Sequence, residues 1–309
     1  MSDKSARKPV TRPIVGLGLA VVDHVYVVES FDPADRVRYQ RRIESGGGMV
    51  STALVQAAAL GCRARILSLV GDDPDGGRVS RWLREARVSV RGLVVSPDHV
   101  TTVAVVLVDG TTADRRFFVA DRRKLERTTP DFDLSAIRTG SILLVDGHFP
   151  AQARRAVRRA REVGATVVAD FSHPRADFLK LLPYVDHPVV PMQFANAYAG
   201  PDPVATLRRL HTEHGAAPIV TLGERGGVYL HGGKVHRYAA RRARVVDTTG
   251  AGDTFHGAFA AGLAHGFTFG AAVALAARAA AVCCTALGGR GRLLSVDDVA
   301  ALRGRSRRS

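Results

Sequence analysis

The sequence predicts an α/β fold in which helices cover both faces of a mostly parallel sheet, with a small β lid added. Three observations predict it. Short β-branched runs alternate with segments of helical period along most of the 309 residues, the order expected of strand–helix–strand units in a right-handed layout. Two regions, Val25–Ile43 and Val100–Val119, alternate apolar and polar residues without a helix between them, as antiparallel strands do. No fixed repeat and no proline-rich linker divides the chain.

Taken in order, the strand-like runs are Ile14–Leu19, Ile66–Val70, Ile142–Val145, Thr166–Ala169, Val189–Val190 and Ile219–Leu222. Helical periodicity marks Val50–Leu60, Gly77–Ala86, Ala151–Val163, Val204–His214, Thr254–Gly266 and Phe269–Leu287. These elements make one α/β domain over residues 14–302. Lid segments at 24–44 and 100–120 are inserted into it, and basic tails at 1–12 and 303–309 flank it.

Composition narrows the function classes. Hydrophobic residues make up 46% of the chain, enough for a sizeable core. No apolar run reaches the length a membrane helix needs, and the first dozen residues lack a signal peptide's apolar centre. Cys62, Cys283 and Cys284 have no metal-site spacing, which fits a reduced, cytoplasmic compartment. The net charge of +15 invites a nucleic-acid partner. However, Lys4, Arg7, Lys8 and Arg12 lie in one tail and four arginines in the other, with no stacking aromatics between them. The remaining arginines suit a small anionic ligand better than nucleic acid.

The chemistry concentrates in Asp247-Thr248-Thr249-Gly250-Ala251-Gly252-Asp253. A small-residue turn opening a helix frees backbone N–H groups at its positive end, a site for a transferring phosphoryl group. Asp253, just behind the turn, can take a proton from an attacking hydroxyl.

Four ordered elements resemble the ribokinase or PfkB-type carbohydrate kinases. DTTGAGDTFHGAF at 247–259 is similar to the family's carboxy-terminal signature. SGGGMVSTALVQAAALG at 45–61 is similar to its amino-terminal glycine signature. Thr221-Leu222-Gly223-Glu224-Arg225-Gly226-Gly227 resembles its nucleotide-side TxGxxG turn. Gly16–Asp23 stands where such kinases keep a sugar-binding aspartate at the end of the first strand. The resemblance implies a ribokinase-like three-layer α/β/α domain with a β lid, and transfer of the γ-phosphoryl group of MgATP to a primary hydroxyl of a monosaccharide or sugar derivative. Asp253 would be the base and the Gly250, Ala251 and Gly252 N–H groups the anion hole. It further implies sugar contacts at Asp23, Gly47, Gly48 and Thr52, and ATP contacts at Thr221, Gly223, Gly226, Thr248 and Gly288. A monovalent cation such as K+ would sit by Asp247 and Thr249, and a homodimer would pair through the lid.

Two departures bear on substrate and metal. Thr52 stands where the family places asparagine, offering one hydroxyl instead of a carbonyl and an amide. The family's N-x-x-E element is replaced by Pro191-Met192-Gln193-Phe194-Ala195-Asn196, which has no glutamate. Mg2+, held largely by phosphates and water, can do without it. Cys284–Gly291 resembles the end of the nucleotide pocket in ketohexokinase-like and sulfofructose-kinase-like members. Among the arginines of the lid (36, 38, 41, 42, 115 and 116), Arg36 is the residue expected to reach an acidic substrate group. His256 reads as a packed helix residue. A nucleoside kinase, and a sugar-binding regulatory protein on the same fold, stay open as alternatives.

Overall fold

Strand-by-strand alternation builds the centre of the molecule. The computed structural model describes residues 11–31, 37–120, 125 and 127–300. Its elements in chain order are β1 (Ile14–Leu17), β2 (Val21–Val28), β3 (Tyr39–Gly47), α1 (Met49–Ala59), β4 (Ala64–Gly71), α2 (Pro74–Glu85), β5 (Val88–Ser96), β6 (Val103–Asp109) and β7 (Arg115–Val119). There follow β8 (Ile142–Val145), α3 (Pro150–Val163), β9 (Thr166–Asp170), α4 (Ala176–Leu179), β10 (His187–Pro191), α5 (Met192–Ala199), α6 (Pro203–His214), β11 (Ile219–Thr221), β12 (Gly227–His231), β13 (Lys234–Tyr238), α7 (Ala251–Ala264) and α8 (Phe269–Cys283). The main sheet runs β13-β12-β11-β10-β9-β8-β1-β4-β5, parallel from β11 to β5, with β12 and β13 antiparallel at one edge.

The central strands are apolar on both faces, and each face feeds its own core. Ile142 and Leu144 pack with Val168, Val189, Phe255, Phe259 and Leu54 on the side of α1, α7 and α8. Leu143 and Val145 pack with Val167, Ala153, Phe194 and Leu207 on the side of α3, α5 and α6. A strand with period-two side chains and no polar face is stable only between two helical layers, so these residues dictate the three-layer stack. Several helices start where a side chain can satisfy a free N–H: Asp73 accepts from Gly76 N, Asp202 from Val204 N and Thr268 from Ala271 N.

The lid is a four-stranded sheet ordered β3-β2-β6-β7 around a small core of Val25, Val106 and Val108. β2 pairs antiparallel with β3, and β6 with β7, as expected. The inner pair β2–β6 is parallel, however, correcting the all-antiparallel expectation. β1 and β5 lie in one parallel sheet, so their continuations β2 and β6 leave it in the same direction. β5 and the β12–β13 hairpin were not anticipated. α8 stops at Cys283, four residues before the expected end, because the Cys284 carbonyl accepts the N–H groups of Val246 (2.8 Å) and Asp247 (3.3 Å). Arg36, residues 1–10 and the tail from 303 fall outside the described residues; Arg12, counted with the amino-terminal tail, instead belongs to the domain, donating to the Gly140 carbonyl (2.8 Å), the Ser141 carbonyl (3.2 Å) and Thr166 Oγ1 (2.7 Å).

Candidate active site

At the carboxyl edge of the parallel strands, two helices start on glycine without a capping side chain. These are α1 behind Gly48 and α7 behind Gly250. Open parallel sheets bind ligands at this edge. Gly250 has φ 71°, and a Cβ there would lie 2.4 Å from the Gly289 Cα, so its glycine is required by backbone conformation and close approach. Gly252 differs: it is exposed, and a Cβ on it meets no atom within 4 Å. Its side faces open space at the start of α7. The Ala251 N–H makes only a long bond, 3.3 Å, to the Thr248 carbonyl. The turn is braced from behind by fully buried Asp247, whose Oδ1 accepts from Thr249 N (2.8 Å) and Thr249 Oγ1 (2.7 Å) and whose Oδ2 accepts from Gly288 N (2.8 Å).

Asp253 occupies the first turn of α7 and keeps part of its surface open. Burial first, then the nearby carboxylates Asp170 and Asp146, raise its pKa to about 7, against the pull of His256 and Arg290. Asp170, the last residue of β9, is pushed well above the carboxylate range by burial and by Asp146. Burial also opposes ionisation of Asp146, yet His148, 3.0 Å away, and the N–H groups of Leu19 and His148 hold its pKa below the ordinary value. A carboxylate near neutrality beside a positive helix end is suited to accept a proton at physiological pH.

His256 is packed, as expected, and its contacts hold the turn that carries Asp253. Its Nδ1 lies 2.7 Å from the Gly252 carbonyl and 3.2 Å from Asp170 Oδ2, and its Nε2 lies 3.0 Å from the Val189 carbonyl. The ring therefore wedges the first turn of α7 against β9 and β10. Burial holds its pKa below the ordinary value, against those carbonyls and Asp253.

The other half of the site is the glycine triplet at the end of β3. A Cβ on Gly46 would meet Arg290 Nη1 at 2.1 Å, one on Gly47 would meet Asp23 Oδ2 at 2.1 Å, and one on Gly48 (φ 90°) would meet the Leu19 carbonyl at 2.4 Å. The glycines thus admit Asp23, Arg290 and the β1–β2 turn to the site wall, a tighter requirement than leaving bare backbone for a sugar. Asp23 sits within β2, not at the end of β1, and is buried. Burial raises its pKa to about 7 although Arg290 opposes the shift. Thr52 is 1% exposed and its hydroxyl accepts from Arg290 Nε at 3.3 Å. Its reach toward a ligand therefore passes through that guanidinium.

Of the residues expected on the nucleotide side, Thr221 closes β11, and Gly223 (φ 61°) and Gly226 (φ 81°) form the turn into β12. Thr248 belongs to the turn before α7. Gly288 lies 3.2 Å, by its Cβ position, from Ile43 of the lid. Asp170 and Asp146 were not anticipated, although they carried a readable signal, a carboxylate closing an apolar strand run (VVAD, LLVD). Arg290 was expected only within Cys284–Gly291 at the end of a nucleotide pocket; its bonds to Gly47 and Thr52, more than two hundred residues away, carried no signal.

The family model for pfkB family carbohydrate kinases matches residues 12–294. A ribokinase of Lactococcus lactis is 25% identical over 260 residues, spanning 83% of this chain and 84% of that one. The structure of a candidate ribokinase from Agrobacterium tumefaciens superposes with a TM-score of 0.87 at 27% identity, covering 97% of this chain and all of that one. That of Arabidopsis thaliana ribokinase complexed with ribose and ATP superposes with a TM-score of 0.80 at 20% identity over 94% of this chain and 98% of that one, a likeness of fold.

Proposed function

Because the chain belongs to the pfkB family of carbohydrate kinases, we propose that it transfers the γ-phosphoryl group of MgATP to a primary hydroxyl of a monosaccharide or sugar derivative, with Asp253 as general base. The observation carrying this is the position of Asp253. A carboxylate with a pKa of about 7 stands in the first turn of a helix that begins, uncapped, on the Gly250-Ala251-Gly252 turn.

The acceptor oxygen attacks phosphorus, its proton passes to the Asp253 carboxylate, and the bond to the ADP oxygen breaks. Charge spread over the phosphoryl oxygens meets the N–H groups of Gly250, Ala251 and Gly252 at the positive end of α7. The nucleotide lies toward Thr221, Gly223, Gly226, Thr248 and Gly288. The sugar lies toward Asp23, Gly47 and Gly48, under the lid, whose closure would exclude water and limit ATP hydrolysis.

Among the described residues, no group of three or more His, Cys, Asp or Glu side chains is arranged to hold a metal ion. Mg2+ in this account arrives with the nucleotide, held by phosphates and water. K+ would share Asp247 with its three bonds to the turn, next to Thr249. Tyr39, Phe117, Phe118 and Val119 are exposed on the lid, Phe117 and Phe118 on opposite faces of β7, and this apolar surface supports a homodimer formed there. No helix of the described residues is long and apolar enough to cross a membrane, in keeping with a cytoplasmic enzyme.

A panel of fructose, ribose, 2-keto-3-deoxygluconate, sulfofructose and adenosine with MgATP, read by ADP release, tests this function. Turnover of a sugar supports it. Turnover of adenosine alone would replace it with nucleoside phosphorylation, and tight sugar binding without turnover would replace it with a regulatory role.

A further inference from the structure

We propose that Arg290 belongs to the acceptor side of the reaction centre, where it fixes the floor under the sugar. The segment Gly288-Gly289-Arg290 joins the two halves of the site. Gly288 N donates to Asp247 behind the phosphate turn, and Gly289 packs on Gly250 at the start of α7. Arg290 then turns toward the start of α1, donating through Nη2 to the Gly47 carbonyl at 3.1 Å and to Ser51 Oγ, and through Nε to Thr52 Oγ1. Its Nη1 fills the space that a side chain at Gly46 would need.

Those bonds hold a long side chain in one orientation, and a planar guanidinium so held presents donors in fixed directions. Asp23 abuts the same Gly47 from its other side, so one glycine separates an acceptor group from a donor group. A polyol fits this pair, giving protons to Asp23 and accepting from Arg290. Thr52, smaller than asparagine, takes part by anchoring Arg290.

Asp23 and Asp253 both act on the Arg290 guanidinium, whose pKa burial nevertheless lowers to about 10. The acceptor-side reading rests on the sugar placement at Asp23, Gly47 and Gly48 proposed above, whereas the hydrogen bonds of Arg290 do not.

The test compares wild type with Arg290→Gln, Arg290→Lys and, as a control at an exposed arginine of the same segment, Arg292→Gln. Steady-state KM for acceptor and for ATP is measured together with calorimetric acceptor binding in the absence of ATP. Arg290→Gln should raise the acceptor KM about tenfold or more, from loss of a charge-assisted donor, while leaving the ATP KM within about twofold. Arg290→Lys should recover part of the loss. A raised ATP KM with unchanged acceptor KM would overturn the placement and assign the segment to the nucleotide. Should Arg290→Gln fail to fold, an unchanged acceptor KM in Arg290→Lys overturns it. If no acceptor is turned over, the kinase function fails, and equal acceptor affinities for wild type and Arg290→Gln by calorimetry would then refute Arg290 separately.

Discussion

Replacing Asp253 by asparagine should slow the enzyme and stabilise the fold at the same time. The wild-type carboxyl is moved from 3.8 to about 7 by burial and by the charges of Asp170 and Asp146. The folded state therefore holds this proton more tightly than the unfolded chain. Its stability contribution is lost as pH rises between those two values, so above neutrality the ionised group works against folding. Each tenfold change in proton affinity is worth about 1.4 kcal/mol, so the burden on the wild type is on the order of 4 kcal/mol as an upper limit. Asparagine, nearly the same shape and uncharged, removes it. Thermal denaturation should show the variant melting several degrees above wild type at about pH 8.5, with the gap closing toward about pH 4. In a coupled ADP-release assay, kcat should fall by at least roughly 10²-fold for want of a positioned base. Near-normal turnover would refute the assignment of the base. A lower melting temperature at alkaline pH would refute the charge argument and indicate a structural carboxylate.

The two glycines of the phosphate turn should behave differently. Gly250→Ala meets both a positive φ and the Gly289 backbone and should lower stability by about 1–3 kcal/mol, seen in denaturant melts. Gly252→Ala, facing open space, should melt like wild type yet lose kcat. Because Asp253 and Asp23 both have pKa values near 7 and are needed ionised, kcat/KM should fall below about pH 7 with a slope steeper than one proton. A flat profile from about pH 5 to 8 would contradict this. Charged substitutions on both faces of the exposed lid strand β7, Phe117→Asp with Phe118→Asp, should shift the mass in analytical ultracentrifugation from dimer to monomer, and an unchanged mass would remove the lid from the interface.

The parts of the fold that local chemistry dictates were legible in the sequence. Helix starts at Asp73-Pro74 and Asp202-Pro203 combine a capping carboxylate with a proline that needs no N–H, and the expected helices begin within a few residues of them. The GAGD turn was legible because its glycines, its acid and its helix are contiguous. Pairing direction in the lid was not, since β2 and β6 become neighbours only through the sheet that both leave. The glycine triplet was visible, but its reason was not, because what crowds Gly46 and Gly48 comes from Arg290 and Leu19, far apart in the chain. The end of α8 is set by where the Asp247 segment needs the Cys284 carbonyl, again a contact between distant residues.

The most direct measurement of the central claim is where the phosphate goes. Wild type and Asp253→Asn are incubated with MgATP and each sugar of the panel, and the products are resolved by mass spectrometry and phosphorus NMR. A phosphate ester on one sugar hydroxyl with wild type, scarcely formed by the variant and accompanied by little free phosphate, is the expected result. Phosphate released to water at equal rates with and without sugar, or an ester formed equally well by both proteins, would contradict the account.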